Sequence, residues 1–155
     1  MRMTRKAIFL GLPFLLAACD SVDAGKWAQQ GNECVLTTAD NKLSVHVLPS
    51  NRMYFIDLSE DCSAFDGGGN DAFSENSVKI GDKTYSSGFY CKAHVRYPAI
   101  RMDHEEDERE VVSNMLKNDR VKIDIYANGK EVHTLSTKGL TETCQTLFSY
   151  NPISD

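Results

Sequence analysis

The chain has 155 residues, 41% of them hydrophobic and 25% charged, with a formal net charge of −5. That length suits one domain with a real core. The acidic balance argues against nucleic acid or anionic lipid head groups as partners, because both need a basic face.

Residues 1–18 read as a segment apart from the fold. Arg2, Arg5 and Lys6 make a basic start, Ala7 to Leu16 an apolar run, and Ala17 and Ala18 a small-residue approach to Cys19. That order is the layout of a secretory signal. The run is too short to cross a bilayer, which takes about 20 residues, and Pro13 interrupts it. Leu16-Ala17-Ala18-Cys19 resembles the lipobox of bacterial lipoproteins, in which the cysteine becomes the lipid-modified first residue. An incidental cysteine after an ordinary signal is the alternative, but every part of the signal sits in register with Cys19. The resemblance implies cleavage after residue 18, palmitate-type acylation of Cys19 and membrane attachment on the periplasmic side of the cell envelope. Asp20, next to the lipid site, resembles the signal that retains lipoproteins in the inner membrane of enteric bacteria. Each buried CH₂ contributes about 0.8 kcal/mol, so several chains on one cysteine hold where a single chain would exchange. Without residues 1–18, which carry three cations and no acid, 137 residues remain with a charge of −8.

Residues 19–32 are small and polar apart from Trp27 and read as a tether, with Trp27 docked on the domain. Residues 33–155 then form one domain. Segments 33–39, 42–48 and 52–58 are β-branched and aromatic, with turns at Asp40-Asn41 and Pro49-Ser50-Asn51, and predict a meander. Leu43, Val45 and Val47 share one face, and Lys42, Ser44 and His46 the other. Residues 59–77, with glycines at 67–69 and little periodicity, predict a long surface loop pinned near Cys62. Strands return at 77–81 and 83–98 around a Gly81-Asp82 turn, with Gly88 as a bulge or break.

One helix is expected after Asp103, its cap. Glu105, Glu106, Asp107 and Glu108 load the positive end of its dipole, and Val111, Val112, Met115 and Leu116 recur at helical spacing. Residues 120–127 place Val121, Ile123 and Ile125 on one strand face. Asn128-Gly129 signals a type I′ hairpin, returning through 130–137. Residues 140–148 read as a short helix or another strand. No repeat, interdomain linker or second apolar span follows. The totals predict a mainly β fold, an antiparallel β-sandwich or rolled sheet with one or two short helices.

With Cys19 assigned to lipid, Cys34, Cys62, Cys91 and Cys144 remain, an even number implying two disulfides in one of three connectivities. None has the C-x-x-C spacing of a redox or zinc motif. His46 and His133 fall at solvent-like strand positions, His94 on a basic strand and His104 at the helix start. None forms an HExxH pair, and no metal site or cofactor is predicted. The acidic run 103–110 reads as a solvated helix face. Residues 66–71 resemble a calcium loop only superficially, lacking the alternating ligands and closing Glu of an EF-hand. Ser86 and Ser87 before Gly88 do not make a GxSxG elbow. No catalytic constellation is legible, so the expectation is a protein that is not an enzyme.

The stretches 77–85 (SVKIGDKTY), 88–98 (GFYCKAHVRYP) and 111–143 have a rhythm that resembles the invasion-associated locus B family. In that family a cysteine-bearing strand leads to a helix, a strand pair and a closing segment. Cys91 matches the strand cysteine and Leu135–Leu140 the closing stretch. Thr143-Cys144, the acidic helix start and the lipid anchor depart from the pattern. The resemblance covers about half the chain and implies an exported β-rich domain without known catalysis. Together these features predict a membrane-tethered, non-catalytic envelope lipoprotein that binds a protein partner. An immunity or exclusion lipoprotein, its acidic surface neutralising a basic toxin or phage component, is the alternative. A cell-envelope hydrolase ranks third and would need His46, His94 or His133 paired with a carboxylate in a pocket.

Overall fold

A computed structural model describes residues 25–64, 71–92 and 95–148; Cys19, the glycines at 67–69 and His94 lie outside them. The strands are β1 (Trp27–Gln30), β2 (Glu33–Thr37), β3 (Leu43–Leu48), β4 (Arg52–Asp57), β5 (Ala72–Ile80), β6 (Lys83–Cys91), β7 (Ala99–Met102), β8 (Arg120–Asp124) and β9 (Val132–Ser136). The helices are α1 (Glu105–Lys117), α2 (Leu140–Thr143) and α3 (Gln145–Phe148). The nine strands of the described residues join one antiparallel sheet in the order β1-β2-β3-β4-β7-β6-β5-β8-β9, curled into a half-barrel.

Period-two patterning explains the curl. Leu43, Val45 and Val47 on β3 meet Leu36, Met53 and Phe55 on their neighbours, and all are fully buried on the inner face. Ile100, Phe89, Val78, Ile123 and Leu135 continue that face around the sheet. With one apolar face and no second sheet among the described residues to cover it, the sheet closes over its own side chains, and α1 lays Val111, Val112 and Met115 against β4 and β7. The rolled alternative is therefore the fold, not the sandwich. Trp27 shows how near the edges come: its indole N–H donates to the Ser136 carbonyl on β9 at 3.1 Å. Residues 27–30, polar enough to read as tether, are strand β1 and pair with β2.

Two disulfides staple the roll, Cys34 to Cys144 and Cys62 to Cys91, with Cα separations of 5.8 and 5.4 Å. The first ties β2 to the end of α2, so segment 140–148 is helical and covers one end of the roll. The second ties the turn after β4 to the end of β6.

Four expectations are corrected. The loop expected over 59–77 ends early, because β5 begins at Ala72; its first half lacks alternation but pairs residue for residue with β6 from Ala72–Cys91 onward. The second strand of that pair stops at Cys91 instead of running to 98. Gly88 is neither bulge nor break. It stays in register with Glu75 and Arg101, and a Cβ there would lie 2.6 Å from Cε2 of Phe73 and 2.7 Å from Cε2 of Tyr90, whose rings close over it. Asn128-Gly129 is not a two-residue type I′ turn. β8 and β9 last pair at Asp124–Val132, and the seven residues between loop out. Asp124 directs that loop: its carboxylate accepts from the Tyr126 N–H at 3.2 Å and the Gly129 N–H at 2.7 Å.

Candidate functional site

The loop after β8 leaves a gap in the sheet. β5 and β8 pair only at Lys79–Asp124 and Ile80–Ile123. Gly81 donates its N–H to the Lys122 carbonyl at 2.9 Å, so the odd-numbered residues of β5 point their main-chain groups toward β8. Phe73, Glu75 and Ser77 aim theirs the same way but have no strand partner on that side among the described residues. Asn76 marks where the ladder stops. Its side-chain amide donates to the Ile125 carbonyl at 2.7 Å and so holds the chain that leaves β8. Tyr126 then crosses the mouth of the roll and donates its hydroxyl to Asp57, which is fully buried.

Two contiguous clefts flank this open edge. One, of about 430 Å³, is lined by Glu60, Ser74, Asn76, Phe89, Tyr126, Lys130 and Glu131. The other, of about 730 Å³, is lined by Phe73, Glu75, Ser77, Ser86, Ser87 and Asp103; Glu75, Asn76 and Tyr126 border both. Among the described lining residues Glu60, Glu75, Asp103 and Glu131 stand against one ammonium, that of Lys130, so this lining is acidic. The Tyr126 hydroxyl registers this. Its pKa is driven far above the ordinary tyrosine value by burial first, then by the bond to Asp57 and by the charges of Asp57, Glu60 and Glu131. Ser59 donates to one oxygen of Glu131 at 2.9 Å, while the other oxygen is buried and has no partner among the described residues. The Ser87 hydroxyl likewise lacks one, on a residue 2% exposed. Above the edge, Phe73 is 60% exposed, its ring 5.0 Å from that of Tyr90.

A second constellation lies on the outer face of β2–β4. His46 stacks on Tyr54 with ring centroids 4.5 Å apart. Its Nδ1 is 2.8 Å from Oε2 of Glu33 and its Nε2 3.0 Å from Oγ of Ser44. Tyr54 donates to the same Glu33 carboxylate at 3.0 Å, and its pKa is pushed up to about 12, chiefly by burial and then by that bond. Ser, His and Glu thus stand in the hydrogen-bonding order of nucleophile, base and orienting acid. Ser44, however, is 5% exposed in mid-strand between its partners Thr37 and Ile56, and it lines neither cleft.

The structure distributes the remaining predicted residues differently from the expectation. His46 is half-buried and paired, and His133 is buried on the inner face in phase with Leu135; neither is the surface histidine its strand pattern implied. His104, not Asp103, stands at the N-cap position of α1, with no side-chain capping bond, and the Asp103 carboxylate instead accepts the Ser86 hydroxyl on β6. The acidic helix start is not wholly solvated. Glu108 is 1% exposed, bonded to Nε of Arg52 and accepting from the Met53 N–H at 3.3 Å, with Arg101 3.5 Å away. Residues 66–70 of the glycine-rich loop and His94 fall outside the described residues, as does Cys19. Among the described residues no group of three or more His, Cys, Asp or Glu side chains is arranged to hold a metal, and no helix is long and apolar enough to cross a membrane.

The chain matches no family model, and neither curated proteins nor solved structures give a match.

Proposed function

We propose that this chain is a non-catalytic lipoprotein of the cell envelope, tethered through acylated Cys19 on the periplasmic side and binding a protein partner along β5. The carrying observation is the open edge at Phe73, Glu75 and Ser77, flanked by two clefts. An exposed strand edge is a template for another chain, and an exposed aromatic beside well-formed clefts is the usual anchor of a protein interface. Strand β6 with Cys91, helix α1 and the β8–β9 pair follow in the order that the resemblance to invasion-associated locus B proteins implies.

Site-specific photocrosslinking in cells tests the binding reading. A photoreactive side chain at position 73 is expected to give a discrete protein adduct that the same group at the exposed position 142 does not. Identical patterns from both positions would overturn it. Labelling with a palmitate analogue tests the tether: label on the wild type that persists in Cys19→Ala would remove lipidation from the account.

The Glu33–His46–Ser44 relay is the one observation favouring a hydrolase. An activated serine reacts with fluorophosphonate probes. Labelling lost in Ser44→Ala would establish the catalytic reading in place of the binding one; no labelling is expected, since Ser44 lacks an approach path.

A further inference from the structure

Resting on that binding reading, we infer that β5 accepts an extended, basic segment of the partner as an added strand, with its Lys or Arg side chains in the acidic clefts. Phe73, Glu75 and Ser77 each offer one N–H and one C=O to the open edge. A segment laid along them completes the ladder, and main-chain pairing supplies affinity independent of sequence. Selectivity then comes from the side chains it carries. Alternate side chains of the added strand point to opposite faces of the sheet. On the outer face lie Glu75, Asp103 and the ring of Phe73; on the inner face lie Glu131 and Ser87.

Two buried groups point to a donor-bearing occupant. Ser87 and Glu131 line the clefts, and just beneath the surface the Ser87 hydroxyl and one oxygen of Glu131 have no partner among the described residues. An unmet buried acceptor is costly, and a carboxylate more so than a neutral group. A cationic side chain satisfies both the hydrogen bond and the charge. A second copy of this chain is disfavoured as occupant, because edge-to-edge pairing would bring Glu75 near its own counterpart on an acidic molecule.

The probes are an extended peptide repeating Lys-Lys-Val-Val, which presents lysines to both faces of the sheet, the same peptide N-methylated on every residue, and its Glu-Glu-Val-Val counterpart. Each is titrated against the full-length chain in non-ionic detergent. The Lys–Val peptide is expected to bind at least about tenfold more tightly than either of the others. Its addition should slow amide exchange at Phe73, Glu75 and Ser77. Glu75→Lys and Glu131→Lys should each weaken binding severalfold, while Glu142→Lys, remote from the edge, should not.

Equal binding of the N-methylated peptide would overturn strand addition. A loss with Glu142→Lys as large as with Glu75→Lys would overturn the acidic clefts as the source of selectivity. Concentration-dependent protection of the edge without peptide would assign it to a second copy instead. If position 73 still crosslinks a discrete partner while any of these failures is seen, the binding reading stands and only the basic-strand mode is removed.

Discussion

Replacing Glu108 by alanine tests whether a residue from an acidic surface run holds the fold. Its carboxylate is 1% exposed and joins α1 to β4 through Arg52 and the Met53 N–H. The same bond holds the Arg52 guanidinium pKa above its ordinary value. Breaking a buried ion pair by removing one partner costs about 3–5 kcal/mol. Arg52 retains Glu105 at 2.5 Å and some solvent, which lowers the figure. The orphaned Met53 N–H adds about 1–3 kcal/mol. A loss of about 3 kcal/mol follows, or about 10 °C in Tm for a domain of this size. Glu108→Gln keeps the volume and an acceptor and should lose about half as much. The double variant Arg52→Met/Glu108→Met should return to within about 1 kcal/mol of wild type, since replacing both charges by apolar groups leaves neither uncompensated. Urea unfolding with the disulfides oxidised reads these as midpoint shifts at constant slope. Glu110, exposed and paired with Lys83, is the reference, and its replacement by alanine should leave the midpoint unmoved. Equal midpoints for Glu108→Ala and Glu110→Ala would refute the reasoning.

Tyr54 gives a pH test: its pKa is raised from 10.0 to about 12, so its contribution is fully present below pH 10 and lost as pH rises through about 12. Urea midpoints should therefore fall more steeply over that window in wild type than in Tyr54→Phe, and parallel curves would contradict the buried hydroxyl. The disulfides close loops of 110 and 29 residues, so Cys34→Ala/Cys144→Ala should cost about 5 kcal/mol and Cys62→Ala/Cys91→Ala about 3.5 kcal/mol. A reversed order in unfolding experiments would refute the loop-entropy account. Gly88→Ala pushes against the rings of Phe73 and Tyr90, which are exposed and free to swing outward. Stability should change by about 1 kcal/mol or less while the NMR contacts between the two rings disappear; unfolding, or retention of those contacts, would count against the stacked arrangement.

Much of the fold was legible where burial enforces alternation. Leu43, Val45 and Val47 declared an inner face, and helical spacing at Val111, Val112 and Met115 declared α1; both lie fully in the core. The first half of β5 carried no such signal, because its residues line an open cleft and need not be apolar. Pairing with a well-patterned neighbour, β6, makes it a strand. Parity failed at β9 for a related reason: Val132 and Leu135 are both apolar but fall on opposite faces, and only the pairing Ile123–His133 shows that the histidine goes inside. The Glu33–His46–Ser44 relay was half legible. Ser44 and His46 share a face by alternation, but Glu33 reaches them through the β2–β3 register, set by Cys34 opposite Val47.

The open edge was illegible because it arises where two side chains override a strong local signal. Asn128-Gly129 favours a tight hairpin, and had that turn formed, β8 would continue beyond Asp124. In the observed register Tyr126 would then lie opposite Ser77 and β8 would end at Ala127, opposite Asn76, so the open edge would shrink to Phe73 and Glu75. Asp124 prevents this by gathering the N–H groups of Tyr126 and Gly129, which stabilises a wide loop in place of the turn. Asn76 completes the diversion by bonding the Ile125 carbonyl from the inner face. The residues that defeat the hairpin are therefore the ones that widen the acceptor edge. Asn76 and Asp124 thus set how much of β5 is left without a neighbouring strand.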